Sequence, residues 1–74
     1  MAYTAADVQM VESHIIQGER HIVRQQELIV RLRKHGLPTA EAEQLLGEFR
    51  ATLKQHWEHR AAMLEAMKLG TQRT

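Results

Sequence analysis

The chain carries five histidines, and four of them fall into two spaced pairs. His14 and His21 are seven residues apart, and His56 and His59 are three apart within the stretch HWEH. On a helix either spacing keeps both members on one face. Neutral imidazole is a ligand for zinc and similar cations, and a carboxylate such as Glu12 or Glu19 can complete such a set. His14, His21, His56 and His59 are therefore the candidate metal ligands. As a metal motif the pattern is incomplete. There is no HExxH and no Glu-x-x-His of the di-iron bundle kind, and the absence of cysteine removes thiolate sites. Imidazoles at the edge of a helix–helix seam more often hydrogen-bond a carboxylate. The preferred reading is a polar layer between two helices, pairing Glu19 with His56 and Glu12 or Glu19 with Arg60, with Gln25 at a further level. No metal and no cofactor is expected.

Nucleophilic chemistry has less support. Ser13 precedes His14, but helical neighbours point about 100° apart and do not face each other. There is no glycine-rich phosphate loop and no paired-carboxylate pocket, and two antiparallel helices form no cleft of enzyme size. No catalytic residue is assigned, and the chain is read as a non-enzyme.

The basic residues raise a third possibility. Arg31, Arg33, Lys34 and His35 crowd one segment, and Arg20 and Arg24 precede them. They suit a nucleic-acid accessory role. However, 10 Lys and Arg stand against 9 Asp and Glu, a net charge of +1. No aromatic residue is interleaved with the basic ones, as a nucleic-acid surface would require. A helix C-terminus explains them better, because cations complement the dipole there by ~0.3–1 kcal/mol each.

These side chains need elements to hold them. Ala, Leu, Glu, Gln, Arg and Met dominate and all favour helix, while the few Gly and Pro residues sit at informative places. Thr4 and Asp7 have the spacing of a capping box. The pattern then runs without proline to His35. Gly36 suits the left-handed position that ends helices, Leu37 can supply the accompanying hydrophobic contact, and Pro38 prevents continuation. Thr39 is a good N-cap, with Glu41 and Glu43 in the following turn. The sequence predicts one domain over residues 1–74: a helix over about 5–35, a turn at 36–39, a helix over about 40–69 ended by Gly70, and a frayed tail at 70–74. The fold class is all-α, a long antiparallel αα-hairpin of coiled-coil type with helices ~46 Å long.

In the first helix Val8, Val11, Ile15, Ile22, Ile29 and Leu32 follow the alternating three-and-four spacing of a coiled-coil seam, interrupted at Gly18 and Gln25. In the second, Leu46, Phe49, Leu53, Trp57, Leu64 and Met67 recur with a period near 3.6. Reflection about the turn places Gly18 opposite Trp57 and Gln25 near Phe49 and Arg50. A mid-helix glycine costs ~1 kcal/mol relative to alanine, which an indole seated against it would offset. Gly18 is thus expected to be a packing socket for Trp57.

Apolar surface remains after this seam is closed. Ile16, Val23 and Val30 recur every seven residues on a second stripe, and Leu45, Thr52 and Met63 flank the seam of the second helix. A hairpin cannot cover both stripes, and a chain this short rarely stabilises itself without a disulfide, a metal or a partner. Ile16, Val23, Val30, Leu45 and Met63 are therefore expected to form an interface. A homodimer assembling a four-helix bundle is the simplest solution, and another protein partner would satisfy the same physics.

The segment HIIQGERHIVRQQELIVRLRKHGLPTAEAEQLLGEFRATLKQHWEHR resembles a family of short uncharacterised helical proteins of alphaproteobacteria, rhizobia among them. The resemblance rests on Gly18 and Glu19, Gln25, Leu28 and Ile29, Gly36, Thr39, and then His56, His59 and Arg60. It covers roughly residues 14 to 64. It implies a bacterial, cytoplasmic helical hairpin and adds no mechanism. Pro38 departs from the polar residue the family pattern has before the threonine, and stiffens the turn.

No apolar run approaches the ~18 residues of a membrane span. The segment MAYTAADVQM has neither the basic nor the apolar region of a secretory signal, so a cytoplasmic location is expected. The functional expectation is a non-enzymatic protein–protein interaction module that self-associates and regulates or bridges another protein.

Overall fold

A computed structural model describes residues 3–72 of the chain. Two helices, α1 (Ala5–Lys34) and α2 (Ala40–Gln72), pack against each other as a hairpin about 61 Å long and 16 Å by 14 Å across. No strand occurs among the described residues.

The ends of α1 follow from the local sequence. The Thr4 backbone N–H donates to Asp7 Oδ2 at 2.8 Å, and the Asp7 N–H donates to Thr4 Oγ1 at 3.2 Å, a reciprocal capping box. At the other end Gly36 adopts φ +69°. The Leu37 N–H reaches back to the Leu32 carbonyl at 2.8 Å, and the Gly36 N–H reaches the Arg33 carbonyl at 3.0 Å. Those two bonds define a Schellman motif with His35 as its cap, so α1 stops at Lys34, one residue short of the predicted end. The Glu43 N–H donates to the Thr39 carbonyl at 2.8 Å, which opens α2.

Gly70 does not end α2, which continues to Gln72. A glycine weakens a helix without forcing it to stop. At Gly36 the stop is enforced by Pro38, which disfavours helical backbone at Leu37, and nothing comparable follows Gly70. The predicted tail falls partly within the helix, and residues 73–74 lie outside the described segment.

The inward faces of both helices keep a strict heptad spacing. In α1 they are Val8, Val11, Ile15, Gly18, Ile22, Gln25, Ile29 and Leu32. In α2 they are Ala42, Leu46, Phe49, Leu53, His56, Arg60, Met63 and Met67. Val8, Val11, Ile15 and Met63 form the tightest apolar cluster, with Leu53 and Met67 packed against it. Ile29 is buried nearer the turn.

This register corrects the sequence reading of α2. Trp57 and Leu64 are exposed, and His56, Arg60 and Met63 occupy the seam in their place. The socket pairing changes with it. A Cβ added at Gly18 would lie 3.2 Å from Leu53 Cδ1 and 3.8 Å from Leu53 Cβ, with no atom of Trp57 among its nearest neighbours. Leu53 precedes Trp57 by one helical turn. Reflection about the turn counts each turn residue as a helical rise of ~1.5 Å, whereas extended residues advance about 3.3 Å each. The five non-helical residues 35–39 do not advance the chain by the helical rise, and α2 is shifted along α1 accordingly.

Candidate functional site

The seam divides the hairpin surface into two long sides, and the polar side chains singled out above are distributed between them. Arg60 lies at a seam position of α2 and reaches across to α1. Its Nε donates to Glu12 Oε2 at 2.9 Å, and its Nη2 lies 2.9 Å from the same oxygen as an ion pair. The Arg60 guanidinium carbon also lies 5.7 Å from the centre of the Trp57 ring, within cation–π range. Glu12, Arg60 and Trp57 thus form one connected layer on the side that also carries Ile16. An open groove of about 400 Å³ there is lined by Glu12, Ile15, Ile16, Glu19, Trp57 and Arg60.

Gln25 forms the second polar level. It is buried, and its Nε2 donates to the Ala42 carbonyl at 2.9 Å rather than meeting Phe49 or Arg50. A carbonyl oxygen has two lone pairs, so Ala42 can accept this bond in addition to a helical one. Among the described residues, every buried side-chain nitrogen and oxygen has a partner.

The histidines gather on the opposite side. The rings of His14 and His56 have centres 5.3 Å apart and are tilted by 44°. His21 stacks on Phe49 at 5.5 Å, and Tyr3 meets His59 edge-on at 6.2 Å. The expected Glu19–His56 contact is not made, because Glu19 lines the groove with Trp57 while His56 lines the groove with His14 and His21. His14 and His56 are brought together, but among the described residues no three His, Asp or Glu side chains are placed to hold one metal ion. Each imidazole instead has an aromatic or imidazole neighbour.

The expected interface residues separate in the same way. Ile16, Val23 and Val30 are 51%, 52% and 63% exposed and form a continuous stripe along α1. Met63 is only 2% exposed and belongs to the intramolecular core, because the strict heptad of α2 turns it into the seam. Leu45 is exposed but lies seven residues before Thr52, which lines the histidine groove, so it is on the side away from the stripe. Trp57, 46% exposed, takes its place beside Ile16. Trp57 follows Leu53 by four residues where the alternation running from Leu46 calls for three, which is the signal in the sequence that Trp57, and Leu64 seven residues on, leave the seam.

Of the basic residues, Arg33 donates from Nη2 to Glu43 Oε1 at 2.6 Å, tying the ends of the two helices across the turn. Arg20 and Arg24 border Val23 together with Glu19 and Glu27, so this surface mixes both signs of charge. No described helix is long and apolar enough to cross a membrane. Comparison of the chain with protein-family models, with curated proteins and with solved structures finds no match.

Proposed function

We propose that the chain is a non-enzymatic interaction module of the cytoplasm, a helical hairpin that self-associates through the Ile16, Val23 and Val30 side into a four-helix bundle and presents its remaining surface to a further protein. The observation that carries this reading is the stripe itself. Three β-branched residues recur at seven-residue intervals, each more than half exposed, with Trp57 beside them. Contiguous apolar surface of this kind marks an interaction site more often than an idle surface. The intramolecular core is small, with five apolar side chains buried among the described residues. Burying the stripe adds the apolar area that a chain of this length lacks.

Sedimentation equilibrium at micromolar concentration tests the reading. The wild-type chain is expected to be a dimer, and Val23→Glu/Val30→Glu to be monomeric or unfolded. A wild-type chain that sediments as a folded monomer across that range refutes it.

A further inference from the structure

The stripe has charged edges, and their order along α1 has a direction. Val23 is bordered by Glu19, Arg20, Arg24 and Glu27, with Gln26, Val30 and Arg31 following. Helical spacing sorts the neighbours that flank the stripe into two rows, with Arg24 and Arg31 a further step round the helix. The row nearer the seam reads Glu12, Glu19, Gln26, Arg33, and the outer row reads Ser13, Arg20, Glu27, Lys34. In the first row the anions Glu12 and Glu19 lie toward the N-terminal end and its one cation, Arg33, at the C-terminal end.

We propose that the stripe docks on the same stripe of a second copy with the two α1 helices antiparallel and the two-fold axis at Val23. This inference rests on the self-association proposed above and specifies its geometry. About that axis Val23 meets its own counterpart, and Ile16 meets Val30 of the second copy. Each charged row then faces itself reversed. Glu12 comes opposite Arg33, Glu19 opposite Gln26, Arg20 opposite Glu27, and Ser13 opposite Lys34. Every pair within these two rows occurs twice by symmetry, and none of them joins like charges. A parallel dimer in register sets one row against the other at the same level. It gains Glu19 against Arg20, but it places Arg33 against Lys34 and leaves Glu12 against Ser13 and Gln26 against Glu27, so one attractive pair stands against one repulsive pair. Opposed like charges count against a pairing, so the charge pattern selects the antiparallel form. Arg20 and Glu27 are the most telling pair. They stand seven apart on one helix, beyond the reach of i,i+4 pairing. The ion pairs found among the described residues are Arg33–Glu43, Lys54–Glu58 and Glu12–Arg60, so neither Arg20 nor Glu27 is used within the hairpin.

The chain has no cysteine, so single introduced cysteines report the geometry directly. A disulfide requires Cα atoms ~4.4–6.8 Å apart. Under mild oxidation Val23→Cys is expected to cross-link to itself. Ile16→Cys and Val30→Cys are each expected to remain largely as thiols alone and to cross-link when mixed. Independently, Arg20→Glu is expected to raise the dimer dissociation constant about ten-fold at low salt, and Arg20→Glu/Glu27→Arg to restore it to within about three-fold. Both residues are exposed, so circular dichroism is expected to show every charge variant fully helical. Self-cross-linking of Ile16→Cys as efficient as that of the mixture, or no rescue by the double exchange, overturns the antiparallel arrangement while leaving self-association in place. A monomeric wild-type chain overturns both.

Discussion

Gly18→Ala tests the seam at its one glycine, where two effects of similar size oppose each other. Alanine is the better helix former by ~1 kcal/mol in a helix interior. Against this, the new methyl would sit 3.2 Å from Leu53 Cδ1, a few tenths of an ångström inside comfortable contact. The obstructing atom is the end of a flexible side chain, and Leu53 is only partly buried. A small side-chain rotation relieves the contact at a fraction of the ~0.5–1.5 kcal/mol of a large off-rotamer distortion. The net expectation is a stabilisation of about 0.5 kcal/mol, which raises Tm by ~2–4 °C for a domain of this size. A double-mutant cycle isolates the contact. Leu53→Val removes the obstructing carbon, so Gly18→Ala should gain its full ~1 kcal/mol in that background. The assay is thermal unfolding by circular dichroism at one fixed chain concentration, because association makes Tm concentration-dependent. Equal gains in the two backgrounds would show that Leu53 does not face residue 18. A loss greater than about 1 kcal/mol in the wild-type background would show that Leu53 cannot move.

Two further substitutions probe the elements that hold this seam. Gly36→Val forces a β-branched residue to φ +69° and should destabilise the hairpin by ~1–2 kcal/mol or more, read as a lowered denaturant midpoint with unchanged slope. Glu12→Gln weakens the ion pair with Arg60, whose partners remain 30% and 42% exposed, so the loss should stay below ~1 kcal/mol and shrink further in high salt. A salt-independent loss of several kcal/mol would mean that this layer is far drier than its exposure indicates.

The parts of the fold that local chemistry determines were legible in the sequence. Thr4 and Asp7 form their box, Gly36 takes the left-handed conformation, and the α1 seam runs where its branched aliphatics place it. The α2 seam is harder to read, because His56 and Arg60 occupy positions that an apolar seam would fill and Trp57 and Leu64 each lie one residue past a seam position. Residue type outweighed spacing at those sites, although the strict three-and-four alternation was available in the positions themselves. The pairing between helices depended on the path of the five residues 35–39 between them, which no pattern within either helix encodes. The resulting shift of α2, together with the turning of Trp57 out of the seam, moved Trp57 away from Gly18, while Glu19 and His56 part because they line grooves on opposite sides of the seam. It left the Glu12–Arg60 pair intact, because a long side chain can span the difference.

The densest apolar cluster lies at the open end of the hairpin, with Val8, Val11 and Ile15 against Met63, far from the turn. This separates the order in which contacts form from the strength with which they hold. The Gln25–Ala42 contact closes a loop of 17 residues, whereas joining Val11 to Met63 closes one roughly three times longer, at an extra entropic cost of about 1 kcal/mol. Closure therefore starts at the turn and travels outward, yet its largest hydrophobic reward arrives last. A hairpin built this way does not fray progressively from its free ends, as one with a uniform seam would. Its most readily opened stretch is the middle, where Gly18 contributes no side chain and His56 brings a polar ring into the seam. Backbone amides there should exchange with solvent faster than those near Val11, even though they are closer to the point where folding begins.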